Sequence, residues 1–494
     1  MIASARVREL FALIPVSLLV TAGFTAVLLT RSEDISNVTI TYGAVFLGLC
    51  VFAHLFIRAR LPDADPYLFP LAATLASFGL VEIYRIDPEL AREQAQWFVV
   101  GLAFFCATIV FLRDHHVLER YRYTIAAVGI ALLVLPRLPG IGEQVNGAYL
   151  AVKIGPIQFQ PAEFAKLAII VFLASYLRET GDILVRARVK PLPWQREVLQ
   201  YGLPGAAAIL LVLALDLGEA ETVLLVVFVI SLVAVIRGRP SLKHFGPLLL
   251  VWGLAMFMLL VIRDLGSSLM FFGGFLVLLY VATARFSLVA TGATMFLGGA
   301  IYFANHESHV QGRVDTWLDP FSTERVFCPQ SGNVTEFVNC QGFQISQSLF
   351  AQADGGLFGQ GFGQALLDLP GGGTILPAAH TDLIYALITN EAGLFGAVAL
   401  IIVYLLFAAR GFKTALIAGD GFSKLLAAGL TAVFALQVFV IVGGVVKAIP
   451  LTGVTLPFVS YGGSSIVANL VLLALLLIVS DSARRRSSPR GGLV

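Results

Sequence analysis

The sequence has little charge. Only 13% of its 494 residues are Asp, Glu, Lys or Arg, while 58% are hydrophobic and the mean hydropathy is +0.86. Soluble globular proteins are about 25% charged and about 45–50% apolar, so this chain is too apolar for an ordinary soluble protein. The net charge of +2 indicates little by itself, and we expect no nucleic-acid partner.

Cysteine is also scarce, and so are short segments in which hydrophobic and polar residues alternate. Of the four cysteines, Cys50 and Cys106 fall inside apolar runs, where a free thiol usually serves as a small apolar residue. Transmembrane β-strands would appear as short segments of alternating hydrophobicity. This chain instead has solid runs of about 16–22 apolar residues, the length that crosses about 30 Å of hydrocarbon. The chain is therefore predicted to be an all-α polytopic membrane protein.

Hydropathy predicts about 14 membrane-spanning helices. The first follows Arg6 and Arg8 and could pass for a signal peptide, but many spans follow it and no small-residue cleavage site is obvious, so we interpret it as the first anchor. The pair near 200–236 can also form one re-entrant hairpin, which keeps the number of crossings even. The predicted spans are 9–29, 39–57, 67–84, 95–112, 123–136, 161–177, 200–215, 220–236, 245–262, 267–283, 287–304, 383–409, 425–446 and 458–480.

Lysine and arginine concentrate in alternate loops. They are retained on the cytoplasmic side of a membrane. If the N-terminus is cytoplasmic, the basic loops, such as those with Arg58 and Arg60 or Arg410 and Lys413, are cytoplasmic and the opposite loops are sparse in basic residues. Both termini are therefore predicted to be cytoplasmic. The basic tail, residues 481–494, is most simply a stop signal and a contact with lipid headgroups.

Residues 305–382 then form one long extracytoplasmic loop. Its length far exceeds that of usual connections, and the glycine-rich DGGLFGQGFGQ within it indicates partial order. Cys328 and Cys340 lie in this loop on the oxidising side, twelve positions apart. We expect a disulfide between them, with two free thiols as the alternative.

Two acidic residues near one span draw attention. Asp382 ends the motif HTD, residues 380–382, immediately before a hydrophobic run. Its carboxylate is either a helix N-cap or a general base whose pKa rises where water is scarce. Glu391 lies nine residues deeper and should face protein or a wet cavity, because an ionised group at the membrane centre is costly. Together they are predicted to outline a polar path into the membrane.

Three further polar motifs lie at the same predicted side. In FQPAEFAKL, Glu163 and Lys166 stand at i and i+3 and can pair within the bilayer, as a functional site or as a structural clip. In RDLGSS, Asp264 can cap the span that follows. LPFVSYGGSS, residues 456–465, opens the last span and suits either helix packing or a site. The sharper hypothesis is that all these motifs converge on one outward-facing cavity.

These motifs resemble those of a known family. The chain is similar to the SEDS proteins (shape, elongation, division and sporulation) over roughly residues 67–480, and more to RodA-like than to FtsW-like members. The residues that carry the resemblance are QPAEFAK (160–166), DLGSS (264–268), GFQISQS (342–348), DGGLFGQGFG (354–363), HTDLIYA (380–386) and PFVSYGGSS (457–465). Such proteins are peptidoglycan glycosyltransferases that polymerise lipid II on the outer face of the bacterial cytoplasmic membrane. A class B penicillin-binding protein is their crosslinking partner.

The resemblance implies site residues. Asp382 matches the essential acid and is expected to be the general base that takes the acceptor's proton. Glu163 and Lys166 match the buried ion pair, and Glu391 matches the second acid of a glutamate pair in which Asn390 replaces the first. Substrate-binding or supporting roles are expected for His380, Thr381, Asp264, Ser460, Tyr461, Gly462, Gly463 and Ser464.

The leaving diphosphate needs positive charge, because negative charge develops there in the transition state. Arg313, Lys447, Arg263 or a divalent cation such as Mg²⁺ or Mn²⁺ can supply it, and no cofactor is otherwise expected. In the family an Arg-Trp pair follows an NGA-like motif, whereas Ala148 is here followed by Tyr149, which weakens phosphate binding by that loop.

The family's core has ten spans. Residues 1–66 and the pair near 200–236 are therefore predicted to be additions to a catalytic core at 67–480. Two other functions suit the same sequence: a lipid II flippase, because intramembrane charges also suit a transport path, and a non-catalytic scaffold for a partner synthase.

Overall fold

A computed structural model describes residues 5–31, 37–112, 114–145, 148–155, 157–186, 264–306, 308–328, 332–365 and 375–487, with the single residues 253, 262 and 367. Helices dominate this part of the chain. In order along it they are α1 (Ala5–Ala12), α2 (Ile14–Arg31), α3 (Asn37–Arg60), α4 (Leu68–Ile86), α5 (Pro88–Phe111), α6 (His116–Arg120), α7 (Arg122–Val134), α8 (Pro161–Arg186), α9 (Leu265–Thr283), α10 (Phe286–His306), α11 (Ser308–Leu318), α12 (Phe343–Gly355), α13 (Ile384–Ile417), α14 (Gly421–Val445) and α15 (Gly463–Ser487).

Eight helical stretches of the described residues are long and apolar enough to cross a membrane. They are Ala5–Val27, Gly43–Arg60, Leu68–Ile86, Pro88–Phe111, Leu265–Thr283, Ile384–Ile417, Gly421–Val445 and Gly463–Arg485. All eight coincide with predicted spans, so the prediction of a polytopic all-α membrane protein is confirmed. The predicted spans at 200–215 and 220–236, and all of 245–262 but two single residues, lie outside the described residues. The count of fourteen stays a prediction.

The centre of the fold is built from α8, α9, α13, α14 and α15. Helix α14 lies among α8, α9 and α13, and α15 packs along α5. Glycine permits close approach between these helices, since a Cβ on Gly274 of α9 would lie 2.6 Å from a methyl carbon of Val433 in α14. Helices α2 and α3 pack on the outside of this group, against α4 and α5.

Helix α13 is kinked by glycine. Gly393 has φ +65°, a left-handed conformation that a residue with a side chain rarely adopts. A Cβ there would lie 2.4 Å from the backbone nitrogen of Gly359, so the glycine-rich segment passes directly against the kink. The kink divides α13 into a short first part, which carries Glu391, and a long second part.

The loop predicted at 305–382 contains regular structure. Helix α11 is followed by a hairpin of strands β4 (Arg325–Cys328) and β5 (Asn333–Glu336), and then by α12. A disulfide joins Cys328 to Cys340, with their Cα atoms 5.8 Å apart, and ties the hairpin to the start of α12. A second, three-stranded antiparallel sheet precedes α8 and consists of β1 (Gly142–Val145), β2 (Ala148–Ile154) and β3 (Ile157–Phe159).

Candidate functional site

The chain between α14 and α15 is irregular. We call residues 451–465 the signature segment. The predicted span at 458–480 begins as a helix only at Gly463, so Ser460 and Tyr461 precede the helix and their backbone groups bond elsewhere. The segment packs tightly against α4, because a Cβ on Gly79 would lie 2.4 Å from the carbonyl oxygen of Val459.

The HTD motif and the signature segment are hydrogen-bonded to each other. The backbone N–H of Tyr461 donates to the carbonyl of His380 at 2.8 Å, and the two rings meet edge to face at 5.9 Å. The Ser460 hydroxyl donates to the carbonyl of Thr381 at 2.7 Å and accepts from the N–H of Leu456 at 2.9 Å. These bonds fix the backbone on the N-terminal side of Asp382.

Asp382 lies in a tight turn just before α13. The N–H groups of Thr381 and Leu383 both donate to the carbonyl of Ala378, and the half-buried side chain of Asp382 points towards Gly453. Gly453 has φ +72°, and a Cβ there would lie 3.7 Å from Oδ2 of Asp382. Burial raises the pKa of Asp382 to about 6, against the opposing effect of Arg313. The predicted alternative of an N-cap is not what the structure has, since α13 has no side-chain cap.

Arg313 of α11 interacts electrostatically with two carboxylates. Burial lowers its pKa, and the charges of Asp264 and Asp382 act in the opposite direction. One of its N–H groups donates to the carbonyl of Leu451 at 2.8 Å. Asp264 caps α9 as the sequence suggested, accepting from the N–H of Ser267 at 2.9 Å, and burial raises its pKa.

The intramembrane ion pair reaches the signature segment through a glutamine. Lys166 lies 2.6 Å from Glu163, and both side chains are almost fully buried. The Lys166 ammonium also donates to Oε1 of Gln437 at 2.6 Å, and the amide nitrogen of Gln437 donates to the carbonyl of Thr455 at 2.9 Å. At the start of α8, the hydroxyl of Ser464 accepts from the N–H of Gln160 at 2.8 Å.

Glu391 is held away from this segment. Its carboxylate pairs with Arg85 of α4 at 2.5 Å and accepts from the N–H groups of Gly363 at 2.9 Å and Ala365 at 3.4 Å. Its side chain is only 1% exposed. Asn390 donates to the carbonyl of Ala351 at 2.8 Å. In these contacts Glu391 ties α4 to the glycine-rich segment.

The remaining predicted residues lie at the edges of the site. The ammonium of Lys447 donates to the carbonyl of Leu318 at 3.2 Å and is not bonded to either carboxylate of the site. The N–H of Gly462 donates to the amide oxygen of Gln94, and Gly463 packs against Trp97. Arg263 lies outside the described residues.

Sequence reasoning missed Arg85, Gln94 and Gln437. Both glutamines are buried inside apolar helices, Gln94 at 3% exposure and Gln437 at 0%. A buried amide must find partners, so the isolated Gln437 within the predicted span 425–446 was a signal that could have marked it, whereas Gln94 lies just before the predicted span 95–112. Nothing in the sequence indicated which backbone groups they bind.

Among the described residues, one His/Asp cluster could hold a metal ion by its geometry, and it is remote from Asp382. Potential ligand atoms of Asp114, His115 and His116 lie within 4.8 Å of one another, beside a cavity of about 590 Å³. The ring nitrogens already bond to protein: Nδ1 of His116 to Asp114 at 2.9 Å, and Nε2 of His115 to Ser423 at 2.6 Å. The cluster follows α5, whereas the HTD motif lies near the start of α5, so it cannot hold a cation beside Asp382.

Comparisons with known proteins agree on one family. The model of the FtsW/RodA/SpoVE cell cycle proteins matches residues 68–242 and 237–485. Peptidoglycan glycosyltransferase RodA of Mycobacterium tuberculosis (strain ATCC 25618 / H37Rv) is 36% identical over 463 residues, which cover 91% of this chain and 85% of that protein. Stage V sporulation protein E of Bacillus subtilis (strain 168) is 26% identical, over 85% of this chain and 98% of its own length.

A solved structure is also similar. It is the structure of a peptidoglycan synthase complex that coordinates polymerization and crosslinking. One chain of that complex matches this protein with a TM-score of 0.56 at 25% identity. The match covers 85% of this chain and 98% of that one. The family expected from the motifs is therefore confirmed: this chain belongs to the FtsW/RodA/SpoVE family of cell cycle proteins, and it is a multi-pass bacterial membrane protein.

Proposed function

We propose that the chain is a peptidoglycan glycosyltransferase that polymerises lipid II at the outer face of the cytoplasmic membrane. Relatives of this chain are named peptidoglycan glycosyltransferases, which agrees with the activity expected from the sequence. The observation that carries the proposal is Asp382, a carboxylate with a pKa of about 6 at the point where HTD, α11 and the signature segment meet. Such a group is mostly ionised at neutral pH and still basic enough to accept a proton.

The orientation supports the same function. Basic residues collect at the ends of spans opposite to Asp382, as at Arg58 and Arg60 in the last turn of α3. Both termini are then cytoplasmic, and the HTD end of the helices is extracytoplasmic. Cys328 and Cys340 fall on the oxidising side, where a disulfide persists.

The chemistry is a displacement at the donor's anomeric carbon. Asp382 takes the proton from the C4 hydroxyl of the acceptor N-acetylglucosamine as its oxygen bonds to that carbon. The bond to the diphosphate breaks at the same carbon, and the diphosphate leaves with the electron pair. Arg313 is the best-placed cation for the developing negative charge, because its charge acts on Asp382, while Lys447 bonds to the end of α11.

The other expected residues support this step. Ser460 and Tyr461 bond to the backbone of Thr381 and His380, and Glu163 with Lys166 holds α8 against the segment through Gln437. Glu391 anchors the glycine-rich segment. Apolar grooves between spans hold the polyprenyl chains, residues 67–480 form the catalytic core, and 1–66 are additional helices.

We also expect this chain to work together with a partner synthase. The similar chain of known structure belongs to a peptidoglycan synthase complex. We propose that the partner here is a class B penicillin-binding protein, which crosslinks the strands.

The test is glycan synthesis by purified protein in detergent, with labelled lipid II and with or without the partner. A glycosyltransferase makes strands in detergent, whereas a flippase needs two compartments. The flippase is the second candidate because the Glu163–Lys166 pair is buried within the helices. If the chain makes no strands alone but makes them with a catalytically inactive partner, this chain is still the enzyme. Strands that require the partner's own catalytic residues would make this chain a scaffold. A parallel assay with EDTA shows whether a divalent cation is needed.

A further inference from the structure

Gln437 links two parts of the site that the sequence places far apart. It lies in α14 with no exposed surface. Its amide oxygen accepts from Lys166 at 2.6 Å, and its amide nitrogen donates to the carbonyl of Thr455 at 2.9 Å. Both ends of one rigid amide are therefore used, one on the ion pair and one on the signature segment.

The bond to Thr455 lies between the two positions at which the segment approaches the HTD motif. Gly453, two residues before it, faces the carboxylate of Asp382. Ser460, five residues after it, bonds to the backbone of Thr381. The Thr455 hydroxyl donates to Ser465 in the first turn of α15 at 2.9 Å. Thr455 is thus a fixed point between the two contacts that the segment makes with the HTD motif.

We infer that Gln437 is a positioning residue for the glycosyl transfer. By its two hydrogen bonds it holds the signature segment at a fixed place relative to the Glu163–Lys166 pair, and so fixes the part of the segment that faces Asp382. It does not contact the substrate. This inference rests on the proposed function for its kinetic part only, since the positioning itself is a property of the protein alone.

If Gln437 positions the signature segment, replacing it should change the protection of that segment's backbone N–H groups against hydrogen exchange. The N–H groups of Leu456, Ser460 and Tyr461 are all hydrogen-bonded within or across the segment. Replacing Gln437 with Met keeps the volume but removes both amide bonds, so these N–H groups should exchange with deuterium at least tenfold faster. Peptides from α9 and α13 should keep their wild-type exchange rates.

The kinetic expectation is a loss in kcat rather than in KM. A displaced segment misplaces the base relative to the acceptor hydroxyl, which affects the transition state and not the binding of lipid tails. In Gln437→Met we expect kcat to fall about tenfold or more while KM stays within about twofold. The matched control is Thr431→Val, also fully buried in α14; within the described part of the chain, its hydroxyl bonds only to the carbonyl of Ala427. It should change neither kcat nor exchange in the segment.

The experiment is hydrogen–deuterium exchange with mass spectrometry, together with lipid II polymerisation kinetics, on full-length protein. If Gln437→Met loosens the whole fold, Gln437→Asn decides, because the shorter side chain keeps an amide but cannot reach both partners. Unchanged exchange at 455–465, loosening everywhere in both variants, or an unchanged kcat would each overturn the inference. If wild-type protein makes no glycan at all, the proposed function fails, while the exchange data still decide the positioning.

Discussion

The raised pKa of Asp382 predicts where activity is lost in acid. The base must be ionised, and with a pKa of about 6 it is about 90% ionised at pH 7, half at pH 6 and about 10% at pH 5. The rate of lipid II polymerisation under kcat/KM conditions should follow these fractions and fall about tenfold between pH 7 and pH 5. An acid limb near pH 4, the ordinary range of an exposed carboxyl, would refute the reasoning that burial tunes this group.

Two neighbouring cations provide a matched pair for this assay. Arg313 lowers the pKa of Asp382, so Arg313→Gln should move the acid limb to higher pH, besides slowing the reaction. Lys447→Gln removes a charge of the same sign that is bonded to the carbonyl of Leu318, and its acid limb should stay at about pH 6. His380→Gln should also leave the limb in place. A limb that disappears in His380→Gln would assign the titration to the imidazole instead.

Three further predictions concern stability and sterics. Lys166→Met leaves Glu163 buried without its cation and should lower the free energy of unfolding, measured in detergent, by about 3–5 kcal/mol. The double variant Lys166→Met/Glu163→Gln should recover most of this loss, because it removes the unpaired charge. Asp382→Asn should raise the unfolding free energy at pH 7 by up to about 3 kcal/mol, because the folded pKa of about 6 exceeds the ordinary 3.8 and the ionised form is disfavoured in the fold. For the same reason, wild type should gain this stability progressively as the pH falls from about 6 to about 3.8. Gly453→Ala should abolish most polymerisation without preventing membrane insertion, because φ +72° strains any residue with a side chain at the position that faces Asp382. Gly48→Ala, whose Cβ would meet nothing within 4 Å, is the control in the same polymerisation assay.

The sequence predicted the helices well because hydropathy depends on length and composition alone. The eight apolar stretches of the described residues all lie at predicted positions. Helix ends were less predictable. The last span was expected from residue 458, but the chain stays irregular to Gly462, where bonds to His380, Thr381 and Gln94 replace helical ones. Those partners are distant in sequence, and hydropathy carries no information about them.

The site was predictable to the level of motifs. Glu163 with Lys166 followed from i,i+3 spacing, and the cap at Asp264 followed from its place before a span. The pairing of Glu391 with Arg85 did not, because it depends on how α4 packs against the kinked α13. The polar path predicted from Asp382 to Glu391 stays a prediction, and the structure places the second acid in a buried ion pair. Contacts between helices are decided by tertiary packing, which a single sequence does not reveal.

The most direct test of the account is lipid II polymerisation by purified Asp382→Asn. Asparagine keeps the shape of the side chain and cannot take a proton, so the account predicts a folded, membrane-inserted protein that makes no glycan strands. Polymerisation by this variant at the wild-type rate would contradict the central claim that the Asp382 carboxylate is the base.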